Sequence, residues 1–373
     1  MINLPSSKKF PVEHLATCFN NVTNSYKFYW FLSILEHIKA SSSSTIPIKS
    51  LLANMVAGVW FPSNYFYLSF GKQDRLSQLA LKIRITSNLT IDAKKSDIFN
   101  EIIAQLQSNS ILADEILTLG RFVPYRFLRP FFGEELRGVS DWQVDKFIRK
   151  LAENSFYDER HLCPYRFVSS PEESIEIEKE WFEYLQEHLY ILTGFCFWHL
   201  LNYLQKNNSN VPNIAGKLFE PIEQDLRQAR AFWQLAFDHL GSIHCIYSDQ
   251  TMRKDTFSLD HFLPWRFVAH DLLWNIVPTP KNINSMKSDN LPDINKYFDR
   301  FAQLQYEAFV VALNLRKTKL IEDYILLFRS HNFSETTIYS FEQFRQTLYD
   351  TILPQIQIAK NMGFASAWSY TAL

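Results

Sequence analysis

The sequence predicts a mainly α protein: a helical N-terminal region, a small non-helical module, and C-terminal helices. Three observations carry this. Most segments show apolar residues at helical spacing. Glycine is scarce, at 9 of 373 residues, which argues against a chain built on tight β-turns or phosphate-cradling loops. Residues 243–292 lose the helical period and alternate instead. With 47% hydrophobic and 16% aromatic residues, 32 of them Phe, the chain has ample apolar area to bury in one or more cores.

Taken in order, Phe19, Tyr26, Tyr29, Trp30, Leu32, Ile34 and Leu35 predict a helix over 12–38. Further helices are expected at 48–59, 76–83, 93–106 and 141–153, the last with Ser140 as its N-cap. Prolines and glycines predict an irregular stretch at 118–138. The longest helix is expected at 171–205. There Glu172, Glu176, Glu180 and Glu183 would share one solvated face, and no Glu-x-x-His spacing marks them as metal ligands. Helical patterns return at 214–240, 293–329 and 334–362. The expected organisation is therefore 1–170, a recognition or partner-binding region; 171–242, long linking helices; 243–292, the module; and 293–373, helices packing on it.

The formal net charge of −1 excludes a generally basic coat. The balance is uneven: residues 1–170 hold 20 Lys+Arg against 15 Asp+Glu, and the remainder 18 against 24. That fits either phosphate contact by the first half or ordinary scatter. Four separated cysteines without a Cys-x-x-Cys pair fit a reducing cytoplasm. The first ten residues lack a signal pattern, and the most apolar run, 189–201, is shorter than a membrane span.

The phrase Pro-aromatic-Arg-Phe occurs three times, at 124–127, 164–167 and 264–267, and only the third follows an Asp-His pair, Asp260–His261. The module reads as strand ("TFSLDHF"), loop, strand ("LWNIVP") and helix ("KNINSMK"), with Thr279 as N-cap and Pro280 at the first helical position. Asn275 lies on the second strand and Asn284 on the helix, followed by "KSDNLP" at 287–292.

This order resembles the HNH endonuclease family, whose ββα-metal finger places an Asp-His pair, a middle asparagine and a final asparagine in that sequence. It looks closest to the HNH domain of the RNA-guided CRISPR effector nucleases, where a similar Lys-Ser-Asp-Asn-apolar-Pro run begins three residues after the metal asparagine. The resemblance covers about 50 residues. It implies a metal-dependent phosphodiesterase acting on DNA, with RNA as an alternative substrate. By the same resemblance His261 would be the general base and Asn275 a structural tie, with Asp260 and Asn284 holding Mg²⁺ or Mn²⁺. Lys287, Lys281 and Arg266 would face phosphate. Neighbouring strand residues point to opposite faces, so Asp260 and His261 are expected to share a site only where the strand ends or bulges. His244 and His270 are the other histidines of the module. Cys245 has Ser248 where many relatives place a second cysteine, so no structural zinc is expected. A stand-alone HNH protein implies restriction or anti-phage defence. The rival reading is a helical interaction protein with an inactive HNH remnant, working with protein partners or as a homo-oligomer.

Overall fold

A computed structural model describes residues 3–20, 22–108, 110–158, 161–328 and 340–371. The chain forms two compact units. The first comprises residues 1–209 with 217–220, and the second comprises 210–216 with 221–373. Both are mainly helical, and the expected boundaries at 170 and 242 fall inside them.

In the first unit, helices Tyr26–Ala40 and Ile48–Trp60 pack together and bury Trp30 and Trp60. The expected single helix over 12–38 is two, Val12–Thr17 and Tyr26–Ala40. The intervening segment is rich in Asn and Ser, whose side chains compete for backbone hydrogen bonds. The stretch expected to be irregular contains helix Val123–Leu128, because Pro124 lies in the first turn, where no amide is needed. Helix Ile111–Gly120 precedes it.

The longest predicted helix is overturned at its start. Residues Tyr165–Val168 and Ser174–Ile177 form a hairpin, and Thr45–Pro47 adds the third antiparallel strand. "SIEI" alternates with period two and buries Ile175 and Ile177, which favours a half-buried strand. Glu172 and Glu176 therefore leave the supposed acidic face, and Glu176 pairs with Arg166 across the hairpin at 2.6 Å. The helix resumes as Lys179–Glu187 and Leu189–Asn207. Among the described residues, no helix is long and apolar enough to cross a membrane.

The three copies of Pro-aromatic-Arg-Phe do not share one conformation: the first and third lie at helices Val123–Leu128 and Trp265–Val268, the second at strand Tyr165–Val168. The first two pack on each other. The Tyr125 and Phe167 rings stack with centroids 4.4 Å apart, and Tyr165 Oη donates to Pro124 O at 2.5 Å.

In the second unit, strands Phe257–His261 and Ile276–Pro280 pair antiparallel, with Asp260 opposite Val277 and His261 opposite Ile276. Helix Lys281–Lys287 follows and packs on both strands. The strand–loop–strand–helix order expected for 243–292 is thus observed. Two long helices hold the hairpin. From Arg227–Leu240, Trp233 Nε1 donates to Ile276 O at 3.1 Å; from Ile294–Asn314, Gln305 Nε2 donates to the same oxygen at 2.8 Å. Phe262 stacks on Phe301 at 4.1 Å. A third helix, Phe341–Asn361, carries a full capping box at Ser340 and Gln343. The part of its predicted span before residue 340 lies outside the described residues.

Candidate active site

The hairpin and its following helix place most of the predicted residues together. Asn275 is fully buried and closes the loop between the strands. Its Nδ2 donates to Leu263 O at 2.9 Å, and its Oδ1 accepts from Leu263 N at 2.8 Å. Its carbonyl accepts from Phe262 N at 2.8 Å. Three bonds from one residue to the two positions after His261 pin the end of the first strand.

His261 is the last residue of that strand and is 7% exposed. The strand shows no bulge there. Asp260 and His261 keep regular register and contact different partners, as alternation requires. His261 Nε2 lies 2.9 Å from Asp271 Oδ1. A carboxylate accepts, so Nε2 carries the proton and Nδ1 is left as the lone-pair nitrogen. Asp271 is itself anchored, accepting from Asp225 N at 2.8 Å through Oδ2.

Asp260 presents its carboxylate on the face covered by helix Lys281–Lys287. Lys287 Nζ donates to Asp260 Oδ1 at 3.0 Å and to His261 O at 2.7 Å, and Tyr247 Oη donates to Asp260 Oδ2 at 2.7 Å. Lys287 is 0% exposed and Asp260 3%. Burial, followed by the nearby Asp260 charge, pushes the Tyr247 hydroxyl well above its ordinary range, which keeps it a donor. Asn284 lies one turn before Lys287, and its Nδ2 donates to Leu259 O at 2.9 Å and Ser258 Oγ at 3.2 Å. Ser258 and Asp260 share a strand face, so Asn284 and Asp260 lie on the same side of the hairpin.

These placements correct two expectations. Lys287 does not face phosphate: it is the buried counter-ion of Asp260. Arg266 is also buried, its Nη1 2.9 Å from Asp289 Oδ2 and its guanidinium over the Phe364 ring. A charge enclosed this way is stable only when paired, which is why both cations are drawn to carboxylates. Of the three, Lys281 alone remains exposed. The predicted cap is also displaced. Thr279 belongs to the second strand, its Oγ1 is buried without a partner, and Pro280 occupies the N-cap position.

The "KSDN" run now has a residue-by-residue account. Lys287 holds Asp260, Ser288 takes a left-handed turn at φ 47°, and Asp289 holds Arg266. Asn290 caps the helix through Nδ2 to Lys287 O at 2.8 Å.

Among the described residues, no group of three His, Cys, Asp or Glu is gathered to hold a metal. The donors that exist are the Asp260 carboxylate, with two of its roughly four lone-pair sites used, and the Asn284 amide oxygen, whose nitrogen is turned into the strand. One carboxylate and one amide oxygen on one face fit a hard divalent cation that keeps most of its waters.

Residues 245–293 match the family model described as HNH endonuclease. The chain carries an HNH endonuclease module. No curated protein and no solved structure matches the chain. The match covers the hairpin, its loop and the helix, so the module is similar to the nuclease modules of a generally metal-dependent family. Sequence reasoning missed Tyr247 and Asp271. A tyrosine thirteen residues before its carboxylate partner carries no local signal. Asp271 had one: it is the acid in the loop that returns beneath His261, next to the His270 that drew attention instead. His270 is half-buried and His244 exposed.

Proposed function

We propose that the chain is a metal-dependent endonuclease that hydrolyses phosphodiester bonds in DNA. The observation that carries this reading is the His261–Asp271 pair at the end of a strand pinned by Asn275. Asp271 holds His261 in the tautomer that leaves Nδ1 free. A neutral imidazole with a free ring nitrogen can accept a proton from water. As that proton moves to Nδ1, the water oxygen bonds to phosphorus and the bond to the leaving 3′-oxygen breaks. Asp260 and Asn284 would hold Mg²⁺ or Mn²⁺, which when bound supplies Lewis acidity at the phosphate oxygens; the strand ends at His261, which would let the ring reach the same phosphate although its neighbour faces the other way. Asn275 keeps the backbone after His261 fixed, and Lys281 is the exposed cation next to the finger.

Nicking of supercoiled plasmid tests this. The wild-type chain should nick with Mg²⁺ or Mn²⁺ and stop in EDTA. His261→Ala should lose about 10²- to 10⁴-fold, the usual worth of a general base. Undiminished nicking by that variant would sink the assignment, and RNA supplied beside DNA separates a ribonuclease from a deoxyribonuclease.

A second reading is favoured by one observation. Lys287 already neutralises Asp260, so a metal must compete with a buried ammonium. A wild-type chain that nicks with neither ion would support an interaction protein built on an inactive module.

A further inference from the structure

In the first unit, a cavity of about 370 Å³ opens between the start of helix Tyr26–Ala40 and helix Val123–Leu128. Its walls include Thr23, Tyr26, Lys27, Phe122, Arg126 and Arg129. Three cations meet here. Arg126 is satisfied: Nη1 lies 2.6 Å from Asp141 Oδ1 and Nε 2.6 Å from Asp145 Oδ1. Arg129 reaches the same Asp141 at 3.7 Å and is half exposed. The two carboxylates are thus spent on the two arginines. Lys27 is left over. It is half-buried and has no hydrogen bond or ion pair among the described residues. Its ammonium is pushed below its ordinary value, by burial first and then by the charges of Arg129 and Arg126. The neighbouring Cys18 thiol offers no counter-charge, because burial raises it to about 12.

A half-buried cation that shares a cleft with two others carries a desolvation and repulsion cost that an arriving anion would relieve. Phe122, on the rim, is 53% exposed, an aromatic face beside basic side chains as nucleic-acid grooves use. We propose that this cleft receives a backbone phosphate of DNA, with Lys27 and Arg129 as its contacts and Phe122 beside the adjoining nucleotide. This rests on the reading of DNA as substrate and adds a binding site outside the HNH module. Phosphate contacts position a nucleic acid without reading its sequence, so the cleft would contribute affinity and salt dependence.

The test uses the full chain in EDTA and a short fluorescein-labelled DNA duplex, read by anisotropy across a salt series. Lys27→Met and Arg129→Met should each raise Kd several-fold at low salt. Each should also flatten the slope of log K against log salt by about 0.9, the value of one phosphate contact on duplex DNA. Lys27→Arg, which keeps the charge, should bind like wild type, and thermal melts confirm that the variants fold. Unchanged Kd and slope in both Met variants overturn the proposal, as does a loss confined to an RNA duplex. Binding in EDTA is independent of cleavage. A chain that binds through the cleft and never nicks sinks the nuclease reading alone; a chain that nicks while both Met variants bind normally sinks this one alone.

Discussion

Two lysines, one in each unit, show opposite ways of placing a positive charge. Lys287 in the HNH module is fully enclosed, with Asp260 Oδ1 at 3.0 Å and a backbone carbonyl at 2.7 Å. Lys27 in the N-terminal unit is half-buried, and the carboxylates near it are committed to two arginines. The first is a finished internal pair, and removing one partner strands the other in a low-dielectric interior. The second is an unfinished one, whose missing partner must come from outside. The module holds a second cation in this way, Arg266 with Asp289, while His261 is held by a hydrogen bond to Asp271. Holding a metal at Asp260, as proposed, would require opening the pair with Lys287.

The largest effect expected in the folded chain is at Lys287. Lys287→Met removes the ammonium, leaves Asp260 buried with Tyr247 as its remaining donor, and should cost about 3–5 kcal/mol in urea unfolding. The double variant Asp260→Asn with Lys287→Met should recover much of that loss, because neither charge is then stranded. A single variant as stable as wild type would show that Asp260 does not depend on this pair, and the contrast with Lys27 would collapse.

Next in size is Asp271→Asn. An amide can present its NH₂ to Nε2 and stabilise the other tautomer, which carries the proton on Nδ1 where a base is needed. Nicking should fall about 10- to 100-fold, less than for His261→Ala, with folding unchanged. A rate equal to wild type would remove Asp271 from the site.

How much of this was legible in the sequence differs between the regions for physical reasons. The finger was readable because its chemistry is local: strand, loop, strand and helix lie within about 50 residues, and Asn275 and Asn284 sit at spacings the hairpin fixes. The partners that tune it were not. Tyr247 approaches Asp260 from the turn that joins the paired strands Ile243–His244 and Thr251–Met252, and the burial that turns Lys287 from a phosphate contact into a counter-ion is supplied by surrounding packing. In the N-terminal unit the error at 171–178 came from weighing acidic residues at helical spacing over the period-two burial of Ile175 and Ile177. The charge excess of residues 1–170 was visible, but the half-buried Lys27 left without a partner among the described residues was not, because Asp141 and Asp145 reach Arg126 across a helix start that only the fold brings near.

The smallest effect is at Lys27 itself, and its sign separates the two lysines. Lys27→Met removes an uncompensated charge, so in the absence of nucleic acid the chain should be slightly more stable than wild type at neutral pH. The pH dependence follows from the direction of its shift. The folded-state value lies below the ordinary 10.5, so folding disfavours the charged form. That penalty stands in full below the folded value and is relieved as pH rises towards 10.5, where the unfolded chain also loses its proton. The stability advantage of Lys27→Met over wild type should therefore be greatest at neutral pH and shrink as pH climbs towards 10.5, as measured by paired urea titrations. An advantage that is absent, or that grows with pH, would mean Lys27 already has its counter-charge inside the protein, and the cleft would then have no unmet demand for a phosphate.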